Sequence, residues 1–201
     1  NARLFDETQR LLKETEERNA ELAVINTVQA SLASELNMQG IYEAVGDKIR
    51  TIFNQADVGI RIFDQLTSMV HFPYASDNGQ RVFIESHPFR EGGFGGHVIR
   101  TRETLVINEN MAQAMEKYDS HILPGIYGNS AVPGTEASGS AVYVPLVTGD
   151  QVRGMIDLGS EREHAFSDSD VGLLQTLANS MSVALENARL FNETQRLLKE
   201  T

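Results

Sequence analysis

The sequence predicts an α+β fold in which an antiparallel sheet is carried between long helices at the two ends of the chain. Three observations predict it. Short apolar runs parted by turn-forming pairs fill the middle, from Val58 to Leu158. Outside them, apolar residues recur at intervals of three and four. Residues 1–15, NARLFDETQRLLKET, return at 187–201 as NARLFNETQRLLKET, identical at 14 of 15 positions with an offset of 186. Solenoid units run about 20 to 50 residues, so this period is instead that of a domain plus one connecting helix. It predicts one unit of a tandem array whose ends lie in copies of the same connector.

The first helix threads on Leu4, Thr8, Leu11, Thr15, Arg18, Leu22, Ile25, Gln29, Leu32 and Leu36, alternating four and three. A second frame, Phe5, Gln9 and Leu12, falls out of step across the polar run Lys13–Ala20, and this slip is a place for two helix packings of similar energy or simply a solvated stretch. Asn37-Met38-Gln39-Gly40 is expected to end the helix, Asn and Gly being suited to a left-handed cap. Ile41, Ala44, Val45, Lys48, Ile49, Ile52 and Phe53 mark a second amphipathic helix closed by Asn54-Gln55. Strands are expected at Val58–Phe63, Met69–Tyr74 and Val82–Ile84, with Asn78-Gly79 as a tight hairpin turn. Pro73 cannot donate to a ladder, so its strand should lie at an edge or carry a bulge there.

Four glycines in Glu91-Gly92-Gly93-Phe94-Gly95-Gly96-His97-Val98 lead into a short helix. Such an approach exposes backbone N–H groups that suit an anion, although the spacing fits neither a Walker loop nor a dinucleotide fingerprint, and close helix packing is the simpler reading. A strand at Leu105–Ile107 and a helical stretch from Glu109 to about Lys117 follow. Residues 118–140 are rich in Gly, Ser and Pro, as in a lid or a disordered connection, yet hold Tyr118, Ile122, Ile126 and Tyr127, too apolar for a simple solvated linker. AVYVPLV and VRGMIDLG, parted by Thr148-Gly149-Asp150-Gln151, read as a hairpin. After Phe166, Ser167 or Asp168 can cap a last long helix. Its Leu174, Leu177, Met181, Ala184, Ala188, Phe191, Gln195 and Leu198 form a seam of the coiled-coil type, which predicts a partner helix.

The order from Val144-Pro145-Leu146 through the Gly turn, Ala165-Phe166-Ser167-Asp168-Ser169-Asp170, Leu173-Leu174-Gln175-Thr176-Leu177-Ala178 and Ala184-Leu185-Glu186-Asn187-Ala188-Arg189-Leu190 closely resembles the C-terminal half of a GAF domain. The likeness extends upstream through Leu105–Ile107 and Gly95-Gly96-His97-Val98 to about Leu36. The resemblance implies a PAS-related fold with a six-stranded antiparallel sheet between a helical dimerisation layer and a small-molecule pocket closed by the lid. It also implies a unit of a tandem array in a bacterial-type signalling protein, such as a sensor kinase or nucleotide cyclase. On this reading residues 1–37 are a linker helix, 38–166 the sensor domain and 167–201 a second linker helix.

Composition narrows the chemistry. Seventeen basic against 28 acidic residues give a net charge of −11, which opposes nucleic acid and anionic membranes as partners. No apolar run is long enough to span a membrane, and a cytoplasmic location is expected. There is no Cys. Thiolate catalysis, on which the GAF-related methionine sulfoxide reductases depend, is therefore absent, as is the thioether that attaches a bilin in phytochrome-like relatives. His71, His87, His97, His121 and His164 are the residues by which haem would be held, although a lone His is more often a surface or hydrogen-bonded residue. The Asn-Lys, Phe, Asp-Glu pattern of cyclic-nucleotide-binding relatives is not found at its spacing. No nucleophile elbow, zinc-protease motif or paired acidic motif suggests an enzyme.

The expected function is therefore that of a non-catalytic regulatory sensor module that binds an unidentified small molecule and signals through a parallel homodimer of its terminal helices. The alternative is a structural dimerisation spacer. From the resemblance, the ligand-binding residues are Phe63, Phe94, Gly95, His97, Tyr118 and Tyr127.

Overall fold

The computed structural model describes residues 2–35, 37–54, 56–120 and 139–199. Among these residues five helices, α1 (Ala2–Ala33), α2 (Met38–Ile52), α3 (Gly93–Thr101), α4 (Met111–Lys117) and α5 (Asp168–Lys199), surround one sheet. Its strands are β1 (Asp57–Asp64), β2 (Met69–Asp77), β3 (Gln80–Arg81), β4 (His87–Pro88), β5 (Leu105–Ile107), β6 (Ser140–Thr148) and β7 (Gln151–Ser160). The order is β3-β2-β1-β7-β6-β5, with β4 on β2 and every pair antiparallel.

Turn chemistry sets the hairpins. Asn78 and Gly79 both take positive φ (47° and 73°) between the paired Asp77 and Gln80, the signs of a type I′ turn that follows the strand twist. Gly149 (φ 59°) occupies the first place of the two-residue β6–β7 turn. Pro73 lies where the register of β2 slips between the partners of Ile60 and Ile62, so the expected bulge is present.

Strand alternation gives the sheet two faces. Val58, Ile60, Tyr74, Val142, Val144, Leu146, Ile156 and Leu158 point into the main core beneath α1, α2 and α5. Arg61, Phe63, Tyr143, Met155 and Asp157 sit at the alternate positions, on the face that carries α3 and α4.

Four expectations need correction. The sheet has seven strands among the described residues rather than six. Val82–Ile84 is not a strand: after the Val82 N–H donates to the Ala75 carbonyl (3.1 Å) the ladder stops, and Phe83 turns out to solvent at 86% exposure. Two-residue pairings at β3 and β4 replace it. Asn37 does not close α1; in extended conformation it caps α2, its side chain accepting the Gln39 N–H at 3.0 Å. The seam of α5 faces inward, since Leu174, Leu177, Met181, Ala184 and Ala188 are all buried in the chain's own core. An apolar sheet face must be covered, and α5 shares that task with α2.

Both copies of the repeated segment are helical wherever described, residues 2–15 in α1 and 187–199 in α5. The two helices run parallel: Ser169 donates to Glu21, and Gln29 reaches Ser180 at 3.5 Å, partners that ascend together. No helix of the described residues is long and apolar enough to cross a membrane.

Candidate functional site

The face beneath α3 and α4 carries the chemistry. Arg61 projects from the middle of β1, and its Nε donates to Asp157 Oδ1 on the neighbouring β7 at 2.8 Å. The side chains are 15% and 1% exposed, so the pair is held out of bulk water. The guanidinium carbon lies 5.6 Å from the ring centres of both Phe72 and Tyr143. Burial pushes the Tyr143 hydroxyl well above the ordinary range, which keeps it neutral.

Aromatic contacts continue from this pair toward α3. Tyr143 meets Phe94 at 5.3 Å, Phe94 meets Tyr118 at 5.8 Å, and Tyr118 meets His97 at 4.7 Å between centroids. The Gly93 N–H donates to the Tyr118 carbonyl at 2.9 Å, tying the start of α3 to the end of α4. A Cβ on Gly95 would lie 3.6 Å from Met155 Cε and 3.9 Å from Arg61 Nη1, so this first turn of α3 faces the ion pair at close range. Gly96 serves packing: a Cβ there would stand 1.9 Å from the Glu91 carbonyl oxygen. The glycines therefore let α3 start tightly and close over the sheet.

Small residues floor the neighbouring part of this face. Gly59 of β1 pairs across to Ala75 of β2 and Asp157 of β7, and Gly159 pairs to Ala141 of β6. Beyond Arg61, Phe63 stands edge-on to Phe89 at 5.9 Å, and Phe72 tilts against His87 at 5.4 Å.

The structure brings Phe94, Gly95, His97 and Tyr118 of the expected site into one cluster and puts Phe63 on the same face farther along β1. Tyr127, with most of the expected lid, lies outside the described residues. Arg61, Phe72, Tyr143, Met155 and Asp157 were not anticipated. An arginine inside the alternating run Val58–Phe63 was the available signal, since it occupies the same face as Phe63.

Among the described residues the histidines do not converge, and His121 lies outside those residues. His71 Nδ1 lies 2.8 Å from Ser86 Oγ, His87 Nδ1 lies 2.9 Å from the Pro88 carbonyl, and His164 is 3.3 Å from Glu109. Among the described residues no three His, Asp or Glu side chains form a group able to hold a metal ion.

Comparison with known proteins agrees with this architecture. The GAF domain family model matches residues 35–186. The formate hydrogenlyase transcriptional activator FhlA of Escherichia coli is 22% identical over 176 residues, which are 87% of this chain and 24% of that protein. The chain thus spans about a quarter of the length of the curated relatives it matches. The GAF domain of a phosphoenolpyruvate-protein phosphotransferase from Acinetobacter superposes with a TM-score of 0.67 at 17% identity, covering 86% of this chain and 96% of that one. The free methionine-R-sulfoxide reductase of Neisseria meningitidis, solved with its substrate, gives 0.65 at 19% identity over 85% and 90%. A methyl-accepting chemotaxis protein gives 0.66 at 16% identity over 84% and 99%. These likenesses show the fold, and the family match identifies the chain as a member of the GAF domain family.

Proposed function

We propose that this domain is a non-catalytic, cytoplasmic sensor module of a larger signalling protein, in which a small molecule seated beneath α3 and α4 biases the packing of paired terminal helices. The observation that carries this reading is the division of β1 and β7 between two tasks. Arg61 and Asp157 lie on the sheet face beneath α3 and α4, while their neighbours Ile60, Ile62, Ile156 and Leu158 pack in the core under α2 and α5. A ligand that moves the ion pair moves strands on which the helices rest, and a ligand with different affinity for two helix packings shifts the equilibrium between them. Phe63, Phe94, Gly95, His97, Tyr118 and Tyr127 are the proposed ligand contacts, joined by Arg61, Tyr143 and Asp157. Regulatory relatives such as the FhlA activator and the chemotaxis protein support a signalling role. The absence of Cys sets the chain apart from thiol-dependent chemistry of the kind expected for the reductases.

The helices are proposed to pair with those of a second copy in parallel. On α5, Thr176, Ser180, Val183 and Asn187 line an open groove of about 490 Å³ together with Gln29 and Leu32 of α1. The same alternation of four and three continues through the exposed Leu190 and Leu197, and the repeat carries it to Leu4 and Leu11, which are exposed as well. This outward stripe, rather than the inward seam, is where a partner helix fits.

Native mass spectrometry of the protein purified without added ligand tests the sensor reading. A bound small molecule, lost on Arg61→Met or Phe94→Ala while the fold is retained, is the expected result. Protein that is uniformly ligand-free, and stays so on exposure to metabolite pools, favours the spacer.

A further inference from the structure

At one end of the sheet two carboxylates hold a single turn residue. Asp57, the first residue of β1, accepts the Asn78 backbone N–H at 2.8 Å through Oδ1. Asp77, the last residue of β2 and only 6% exposed, accepts the Asn78 side-chain amide at 3.2 Å. Asn78 sits there in the left-handed region at φ 47°, which asparagine tolerates better than other residues with a Cβ. Two carboxylates converging on one residue in a partly buried place repel each other when both are ionised, unless they share a proton.

We propose that Asp57 and Asp77 form a proton-sensitive clasp on the β2–β3 turn, closed while Asp57 is protonated and loosened when it ionises beside Asp77. The charged surroundings favour the protonated Asp57. Glu161, just past β7, adds a third negative charge near Asp57. The facing cation, Arg50 of α2, spends its Nη1 on the Gly79 carbonyl (3.0 Å) and its Nη2 on Asp47 (3.2 Å). Arg81, beyond the turn, is paired with Glu43. Burial above all, with Asp77 and Glu161 adding to it, raises the Asp57 carboxyl to about 6 against the pull of the Asn78 N–H.

The sign follows from that direction. A carboxyl that holds its proton more tightly in the fold than in the unfolded chain contributes stability that is fully present below its ordinary range. That contribution is lost as the pH rises through about 6. The loosening has two routes outward. Arg50 links the turn to α2 in the helical layer. Glu161 stands beside the start of β6, where the Gly139 N–H donates to the Ser160 carbonyl at 2.7 Å and Ser140 Oγ donates to the Arg162 carbonyl at 2.7 Å. Neither route depends on a ligand beneath α3 and α4.

Side-chain carboxyl NMR on the wild-type protein tests the clasp directly. Asp57 should titrate near pH 6, and Glu161→Gln should lower its midpoint. Amide exchange at Asn78 and Gly79, corrected for intrinsic base catalysis, should lose about tenfold in protection between pH 5 and pH 8. Asp57→Asn should remove that change. An Asp57 titration in the ordinary carboxylate range near 4 would overturn the proposal, as would turn exchange whose pH dependence survives Asp57→Asn. The wild-type titration decides the matter even where the Asn variant does not fold.

Discussion

Replacing Arg61 with Met should cost about 3 kcal/mol of stability, because Asp157 then keeps a charge in a site 1% exposed and loses the guanidinium that compensates it. Arg61→Met combined with Asp157→Leu should recover most of that loss, since a buried pair often contributes little net stability over apolar residues of similar volume. Urea unfolding of the two variants gives the comparison. Equal destabilisation of the single and double variants would mean that the pair matters through its shape and not its charge. A ligand-binding role adds a further expectation: the double variant folds but no longer retains a bound molecule. The residue scale also shows where sequence reading stopped. That Arg61 shares a face with Phe63 was legible from alternation, but its partner lies 96 positions away on β7. One sequence contains no local signal for such a pairing.

Among the elements, those fixed by local chemistry were the ones legible in advance. The start of α5 is one: the Asp170 N–H donates to Ser167 Oγ at 3.2 Å while the Ser167 N–H donates to Asp170 Oδ2 at 2.8 Å, a reciprocal capping box with Asp in the place of Glu. Ser167→Ala should remove about 1 kcal/mol and speed amide exchange over residues 168–171. Unchanged exchange there would leave tertiary packing as the sole determinant of where α5 begins. The Asn78-Gly79 and Gly149-Asp150 turns were legible for the same reason, since positive φ limits which residues serve. Non-local constraints were misread. Val82-Phe83-Ile84 has the composition of a strand but no neighbour to pair with. Asn37 suits the end of one helix and the start of the next, and only the observed φ of −97° decides for the start.

For the whole molecule, the parallel course of α1 and α5 means that the free portion of α1 and the free portion of α5 project from opposite ends of the domain. Each free portion bears large exposed apolar side chains, Leu4, Phe5, Leu11 and Leu12 on one and Leu190, Phe191, Leu197 and Leu198 on the other. Burying one such side chain removes roughly 60 to 120 Å² of apolar surface at about 25 cal/mol/Å². These eight with Leu22 and Val183 are 42% to 70% exposed, so roughly half of that area is still open and together they offer on the order of 500 Å², near the apolar share of a stable interface of about 800 Å² per partner. Which face of α5 would meet a partner in the proposed dimer turns on two nearby positions. Met181 is 0% exposed in the core, whereas Val183 is 63% exposed and lines the groove. Val183→Glu should thus yield folded monomers by light scattering, while Met181→Glu should unfold the domain, because it buries an unpaired charge. The chain has no native Cys, so a single cysteine placed at 183, 190 or 197 reports which residues meet. In a parallel, in-register pair each residue meets its own counterpart, a register that Asn187 on the same stripe favours, so all three positions should form disulfide-linked dimers on mild oxidation. Cross-linking at 183 without cross-linking at 190 and 197 would instead mean an antiparallel pair crossing near the groove. In that geometry the terminal helices of the two copies diverge, and they provide no common path along which a signal leaves the domain.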